Sequence, residues 1–324
     1  MRRRTFIAAS LGTAATALSA CASREELHTG ATLAFGTTVS VSVVHDDALQ
    51  AELAIADALA AARKVDRLMS VYNAASQVAL LNEHGSLAAP DPHLLAVLAK
   101  ARELSQLTRG AFDITVQPLW SAFRAAAQAG SVPGEAERLA LRSRVAWQRV
   151  RASRESVSFT RPDMAITLNG LAQGYAADLA LAALRARGIR NALLDTGEFA
   201  AQGERPDHGH WTLGILDPRD RQAIAATLRL DGRCVATSGD YQAPFTPDFV
   251  HHHIFDPATG ISPQELASVT VLAASAMLAD GLSTAFMVMG ARKAHALAAR
   301  LPNVDLMTIN KRGVVWKSPG FPAA

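Results

Sequence analysis

The stretch Phe35-Gly36-Thr37-Thr38-Val39-Ser40-Val41-Ser42-Val43, with the run to Val71 that follows it, changes its apolar period partway along. Valines at 39, 41 and 43 alternate with Ser40 and Ser42, and this period of two predicts a strand with one buried face. From about residue 47 to residue 71 the spacing becomes helical: Leu49, Leu53, Ile55, Leu59, Val65 and Leu68 predict a long amphipathic helix. Toward the C-terminus a second helix is expected after Pro92, running to about Leu107, and residues 128–146 read as a surface excursion. Strands are expected near Ser156–Phe159 and Ala165–Leu168, then a helix from about Leu171 that Gly188 ends as a C-terminal cap. Strand-like runs follow at Asn191–Asp195, Trp211–Leu216, Ala225–Leu230, Val235–Thr237 and Val269–Ala273. Helices are expected over roughly 277–289 and 291–300, and two short strands close the chain. Strands joined by short turns dominate the second half, so the fold class is α+β with mostly antiparallel pairing.

Bulk properties narrow the possibilities. With 324 residues, 49% of them hydrophobic, the chain can bury one large core and is too apolar to be disordered. Its net charge of +3 is scattered, and no basic patch carries interleaved aromatics, which argues against nucleic-acid binding. No GxGxxG or GxxxxGKS loop is present, so neither a dinucleotide-binding fingerprint nor a P-loop is supported. The one dense basic run, Arg2-Arg3-Arg4, precedes Thr5-Phe6-Ile7 and a small apolar stretch to Ala20. That pattern reads as a signal peptide of the twin-arginine (Tat) type, too short to span a bilayer. Leu18-Ser19-Ala20-Cys21 resembles a bacterial lipobox, so residues 1–21 are expected to be a lipoprotein signal. Residues 22–31 would then be a polar tether and 32–324 the functional domain. The expected location is the periplasmic side, lipid-anchored through Cys21. Cys234 is then a lone thiol, expected to be buried in a strand.

Four segments combine permissive glycines with oxygen-bearing side chains. They are Thr108-Arg109-Gly110-Ala111-Phe112-Asp113-Ile114-Thr115; Thr167-Leu168-Asn169-Gly170-Leu171-Ala172-Gln173-Gly174-Tyr175, with Asp178 beyond; Thr237 to Tyr241 with His251 to Gly260; and Ala279-Asp280-Gly281-Leu282-Ser283-Thr284. Asp280, Ser283 and Thr284, at i, i+3 and i+4, place three oxygens on one helical face. Such hard ligands suit Mg²⁺ beside phosphates; the spacing equally allows Asp280 to be a helix N-cap. His251, His252 and His253 allow a metal-ligand reading or simple exposure, although adjacent residues cannot all face one ion.

These segments resemble the ApbE family, the Mg²⁺-dependent FAD:protein FMN transferases. The resemblance covers roughly residues 33–310 and keeps the family's motif order: Phe-Gly-Thr at 35–37, Leu-Met-Ser-Val-Tyr-Asn at 68–73, Thr-Arg-Gly-Ala-Phe-Asp-Ile-Thr-Val at 108–116, Asn-Gly-Leu-Ala-Gln-Gly-Tyr at 169–175, Ala-Thr-Ser-Gly-Asp-Tyr at 236–241, His-Ile-Phe-Asp-Pro-Ala-Thr-Gly at 253–260 and Ala-Asp-Gly-Leu-Ser-Thr-Ala at 279–285. It implies an ApbE-like, T-fold-like arrangement of mostly antiparallel sheets with flanking helices, a two-lobed single catalytic unit. It implies that Asp280, Thr284, Ser283 and the Gly170 carbonyl hold Mg²⁺ against the FAD pyrophosphate. Phe35, Tyr72, Ala111, Phe112, Asp113, Thr167, Gln173, Thr237, Ser238, Gly239 and Ile254 would meet FAD, with His253 and Asp280 as catalytic residues. Many members carry Asp-Leu-Gly-Gly-Ile-Ala-Lys-Gly where this chain has Thr167 to Gly174, so an aspartate and a lysine become Thr167 and Gln173. The Asn-Gly-x-Ala-Gln-Gly-Tyr form resembles the NosX-like branch, which implies a NosR-like membrane flavoprotein with a threonine-containing target motif as acceptor. FAD hydrolysis to FMN and AMP, or flavin binding without catalysis, are the alternative functions.

Overall fold

The computed structural model describes residues 25–207, 209–220 and 222–322. The signal peptide and the first residues of the expected tether lie outside that range. In chain order the elements are β1 (Glu26–Ala34), β2 (Thr37–His45), α1 (Ala48–Met69), α2 (Gln77–His84), β3 (Ser86–Ala88), α3 (Pro92–Leu107), α4 (Gln117–Gln128), α5 (Glu135–Arg142), β4 (Val150–Ala152), β5 (Ser156–Phe159), α6 (Asn169–Ala186), β6 (Asn191–Asp195), β7 (Phe199–Gln202), β8 (Thr212–Leu216), β9 (Ile224–Arg229), β10 (Cys234–Gly239), β11 (Leu266–Ala273), α7 (Ala276–Met289), α8 (Ala291–Ala298), β12 (Asp305–Asn310) and β13 (Val315–Lys317). Eight strands form one sheet in the order β1-β2-β6-β7-β10-β11-β12-β13, with smaller sheets β3-β5-β4 and β8-β9. Neighbouring strands pair antiparallel throughout. The α+β expectation therefore holds.

Two cores sandwich the large sheet, and strand alternation sorts side chains between them. Val39, Val41 and Val43 of β2, Cys234 and Ala236 of β10, and Val269, Val271 and Ala273 of β11 face the larger core under α1, α6 and α7. Val235, Leu272, Met307 and Ile309 face the opposite core, closed by Trp211 and by Ile215 and Leu228 of the β8-β9 hairpin. Every residue of β11 is buried, as a strand covered on both faces must be. Cys234 is buried as expected, and burial pushes its thiol up to about 12.

Three expectations are corrected. Residues 26–31, read as tether, belong to β1, which pairs with β2 along its whole length (Glu26 opposite His45, Ala34 opposite Thr37). Polar residues suit this strand because it is a sheet edge with one open face. Leu49 and Leu53 do not join the buried stripe of α1, being 65% and 42% exposed. Alanines at 51, 54, 58 and 62 carry that stripe together with Ile55, Leu59, Val65 and Met69. Their small side chains let α1 approach closely, and a methyl placed on Gly30 of β1 would lie only 2.4 Å from Ile55 Cγ2. Finally, Ala165–Leu168 forms no strand and pairs with none among the described residues. Asn82 Nδ2 donates to Ile166 O (2.8 Å) and Asn82 Oδ1 accepts from Ile166 N–H (2.7 Å), so one side chain replaces a neighbouring strand. The expected excursion at 128–146 is matched by α5, which buries no residue.

Candidate functional site

The site forms where α6, α7 and β10 converge. Helix α7 begins at Ser275, whose Oγ accepts from Leu278 N–H at 3.2 Å. Asp178 of α6 adds a second cap, its two carboxylate oxygens accepting from Ala276 N–H (2.7 Å) and Met277 N–H (3.0 Å). Asp280 is therefore not the N-cap. It lies in the body of α7, 4% exposed, and Oδ2 accepts from Gly174 N–H of α6 at 3.2 Å. That contact depends on glycine: a methyl on Gly174 would sit 2.4 Å from Ala276 O. Burial raises the Asp280 carboxyl to about 7, and among the described residues no lysine or arginine bonds to it.

About one turn along, the hydroxyls gather. Ser283 Oγ donates to Asp280 O at 2.9 Å, and Ser238 Oγ lies 2.7 Å from Ser283 Oγ and 3.3 Å from Thr284 Oγ1. Ser238 reaches α7 because it shares the helix-facing side of β10 with Cys234 and Ala236. Gly170 faces the same point: a methyl there would lie 2.9 Å from Thr284 Oγ1 and 3.4 Å from the Phe112 ring. Gly170 also departs from helical geometry (φ −86°, ψ 18°), and α6 starts without a side-chain cap on Leu168. In its first turn Asn169 N–H donates to Thr167 Oγ1 (3.2 Å) and Leu171 and Ala172 N–H to Leu168 O (2.9 and 2.8 Å), which leaves the Gly170 N–H for an anion. Of the four expected metal-holding residues, Gly170 approaches Thr284, Ser283 touches the Asp280 backbone carbonyl, and the Asp280 carboxylate reaches Gly174 on the next turn of α6; Ser283 is the most committed to its neighbours.

Other expected residues join this point by named contacts. Thr167 N–H donates to Ile114 O (2.8 Å), tying the 108–116 segment to the start of α6. Within that segment Phe112 N–H donates to Thr108 Oγ1 (3.0 Å), and Ala111 N–H to Thr108 O (3.2 Å). The Asp113 carboxylate is turned inward. Oδ1 accepts from Thr115 N–H (2.8 Å) and Oγ1 (2.6 Å), Oδ2 from Trp147 N–H (3.1 Å), and burial raises its pKa despite these bonds. Gln173 Nε2 donates to Thr196 O at 2.8 Å, while Thr196 Oγ1 donates to Gln173 O at 3.0 Å. The amide thus clamps the β6-β7 turn. Thr237 Oγ1 is 2.9 Å from Thr270 Oγ1, and Gly239 ends β10 against the Tyr241 ring.

The remaining expected residues make their own contacts around this convergence. Phe35 occupies the tip of the β1-β2 turn with φ +55°, half-buried against the larger core. Tyr72 is 64% exposed, edge-on to Trp120 at 5.9 Å, with the Arg124 guanidinium over both rings. Ile254 is buried in the larger core. His253 N–H donates to Ala243 O (3.1 Å), and burial drives its ring down to about 4 while Nδ1 lacks a partner. His252 is fully buried and His251 packs on Phe123, so the triple histidine is neither exposed nor aimed at one ion.

Sequence reasoning missed Glu198 and Asp240. Glu198, on the β6-β7 connection, is buried, and Oε2 accepts from Thr237 N–H at 3.1 Å. Burial and the Asp280 charge both push its carboxyl well above the usual range. Asp240 is fully buried and takes a bidentate ion pair from Arg219 (2.8 Å each) with Lys311 Nζ at 3.7 Å. Asp240 stood inside a quoted motif, whereas nothing in the spacing around Asp195-Thr196-Gly197-Glu198 marks it.

Among the described residues, no group of three or more His, Cys, Asp or Glu side chains is placed to hold an ion. A cation here would rely on hydroxyl and carbonyl oxygens beside a carboxylate. Those donors, with a buried carboxylate lacking a counter-charge, fit a hard divalent ion. Fold and site together define a convergence of hydroxyl and carboxylate oxygens where two helices meet an antiparallel sheet. The chain belongs to the ApbE family, whose model matches residues 35–308. An FAD:protein FMN transferase from Vibrio cholerae serotype O1 is 32% identical over 291 residues, covering 85% of this chain and 84% of the relative. One from Salmonella typhimurium is 31% identical over 302 residues, covering 88% and 86%. The solved flavin transferase ApbE of Vibrio cholerae superposes with TM-score 0.77 at 27% identity, covering 92% of this chain and 98% of that one. The ApbE protein of Thermotoga maritima gives 0.80 at 27% identity, covering 91% and 97%.

Proposed function

We propose that this chain is a Mg²⁺-dependent FAD:protein FMN transferase that moves FMN from FAD to a threonine hydroxyl of an exported or membrane flavoprotein and releases AMP. The observation that carries this reading is the meeting of Asp280, Ser283, Thr284, Ser238 and Gly170 at the uncapped start of α6. The relatives named as FAD:protein FMN transferases support it. Asp280, Thr284, Ser283 and the Gly170 carbonyl would hold the divalent ion. When bound, it would offset charge developing on the pyrophosphate oxygens.

The chain's own residues supply position and proton handling. The Gly170 N–H at the start of α6 binds the pyrophosphate, and the Gly170 and Phe112 contacts fix its distance from α7. The acceptor threonine oxygen forms a bond to the phosphorus on the riboflavin side. The bond from that phosphorus to the bridging oxygen breaks, and AMP leaves with the bridging oxygen. The threonine proton passes to His253, which burial keeps neutral at physiological pH. We further propose Tat export, a lipid anchor at Cys21 on the periplasmic side, and a NosR-like membrane acceptor. These follow from Arg2-Arg3-Arg4, Leu18 to Cys21, and Asn169 to Tyr175.

The test incubates purified protein with FAD, Mg²⁺ and an acceptor carrying a threonine-containing target motif, then reads flavin fluorescence in a denaturing gel. A fluorescent acceptor band abolished by EDTA is expected. A dark acceptor with FMN and AMP accumulating would replace the reading with hydrolysis, and intact FAD would replace it with simple binding.

A further inference from the structure

We infer that Glu198 is a second carboxylate through which this chain holds its divalent cation, an inference that rests on the metal reading of the pocket proposed above. Three observations converge on it.

The first is placement. Along β7 and its approach, Ala200 faces the larger core and Phe199 the opposite one, so Glu198 shares the helix-facing side with Ala200. Ser238, the residue that touches Ser283 and Thr284, shares that side too. Glu198 Oε2 is fixed by Thr237 N–H, the residue beside Ser238. The turn carrying it is locked to Gln173 by a pair of hydrogen bonds through Thr196, and the next residue, Gly174, donates to Asp280. Glu198 and Asp280 are thus both tied to the Gln173-Gly174 pair of α6, one through Thr196 and one directly.

The second is unspent valence. Glu198 is 7% exposed and Asp280 4% exposed, yet each carboxylate has a single backbone donor, on Oε2 and Oδ2 respectively. The sealed side-chain atoms without partners are His251 Nδ1, His252 Nδ1, His253 Nδ1 and Ser268 Oγ. Neither Glu198 Oε1 nor Asp280 Oδ1 is among them, so both free oxygens stay reachable from the pocket.

The third is charge. Two buried carboxylates facing one space must share a proton or hold a cation. Among the described residues no lysine or arginine bonds to either, and position 173, where many family members carry lysine, holds a neutral amide already bound to Thr196. A divalent ion taken up in place of the proton would compensate both charges, and Glu198 would add a hard oxygen ligand to the one that Asp280 provides.

Mn²⁺ titration of the EDTA-treated, full chain by calorimetry, with melting of the metal-free protein alongside, tests this. Glu198→Gln keeps an acceptor for Thr237 N–H but removes the charge. It should bind Mn²⁺ at least about tenfold more weakly than wild type, while melting no lower in EDTA. Glu198→Asp should fall between the two. Mn²⁺ affinity within twofold of wild type in Glu198→Gln, or a metal-free variant that melts lower or fails to fold, would make Glu198 a structural acceptor and overturn the inference. Wild type that binds no Mn²⁺ would instead bring down the metal reading of the pocket, and Glu198 with it.

Discussion

Asp280 concentrates the chemistry and the cost of the site in one side chain. Its burial is unfavourable for an anion and favours the protonated acid, so the cation of the proposed function would have to displace that proton. Asp280→Asn, which keeps an acceptor for Gly174 N–H, should lower FMN transfer by on the order of 100-fold or more. Its metal-free melting temperature should equal or exceed that of wild type; a lower one would mean that the carboxylate is structural. Thr284 and Ser283 should separate as well. Ser283 Oγ already serves Asp280 O and Ser238, whereas Thr284 Oγ1 has only the longer 3.3 Å contact and faces Gly170. Thr284→Val should therefore weaken Mn²⁺ binding more than Ser283→Ala does, and calorimetric titration of the two variants decides it.

Between elements, the α6-α7 contact sets the site's dimensions. Gly174→Ala would drive a methyl into Ala276 O, and urea unfolding should register about 1–3 kcal/mol of lost stability. Transfer should fall further than stability alone explains, because the same shift separates Gly170 from Thr284. An unperturbed variant would mean that the helices slide without consequence. Much at this scale was legible in the sequence. The valine alternation of β2, the helix 276–289 and the i, i+3, i+4 oxygens declare themselves through local periodicity. The oxygens appear in the structure as they do in the spacing. Glu198 was illegible because its partners, Thr237 and Asp280, lie far along the chain and its own neighbours carry no period. Asn82 escaped for the same reason, since a side chain posing as a strand has no sequence signature. Leu49 and Leu53 misled because alanine does the packing in α1, and alanine is weak evidence of burial when read alone.

Across the whole molecule, Asp240 ties three distant segments together: Arg219 from the β8-β9 hairpin, Lys311 after β12, and through Lys311 Nζ the carbonyl of Phe249 (2.6 Å). Arg219→Ala should destabilise the fold by about 3 kcal/mol, since it leaves a buried carboxylate short of its main partner. Denaturant unfolding measures this, and a loss below about 1 kcal/mol would show that Lys311 alone suffices. The histidine loop adds a pH dependence. His252 is depressed by burial to about 3, below its unfolded value of about 6.5. The unfolded chain therefore binds the extra proton between these values, so this contribution is complete above about pH 6.5 and is lost as pH falls toward 3. Each such histidine should steepen the loss by about 1.4 kcal/mol per pH unit across that window, and His252→Asn should flatten the urea midpoint against pH.

Strand β1 also bears on where the enzyme can work. With the anchor proposed at Cys21 and the sheet beginning at Glu26, the intervening backbone extends at most about 18 Å, half of what a leash continuing to residue 31 would allow. Such an anchor would moor the catalytic body close to the lipid surface, its first strand being its mooring. Threonines displayed near the bilayer would then come within range, and those carried high on a tall extramembrane domain would not. The length of one edge strand would act as a ruler for acceptor choice, and a glycine-serine insertion between positions 21 and 26 would lengthen that ruler without touching the site.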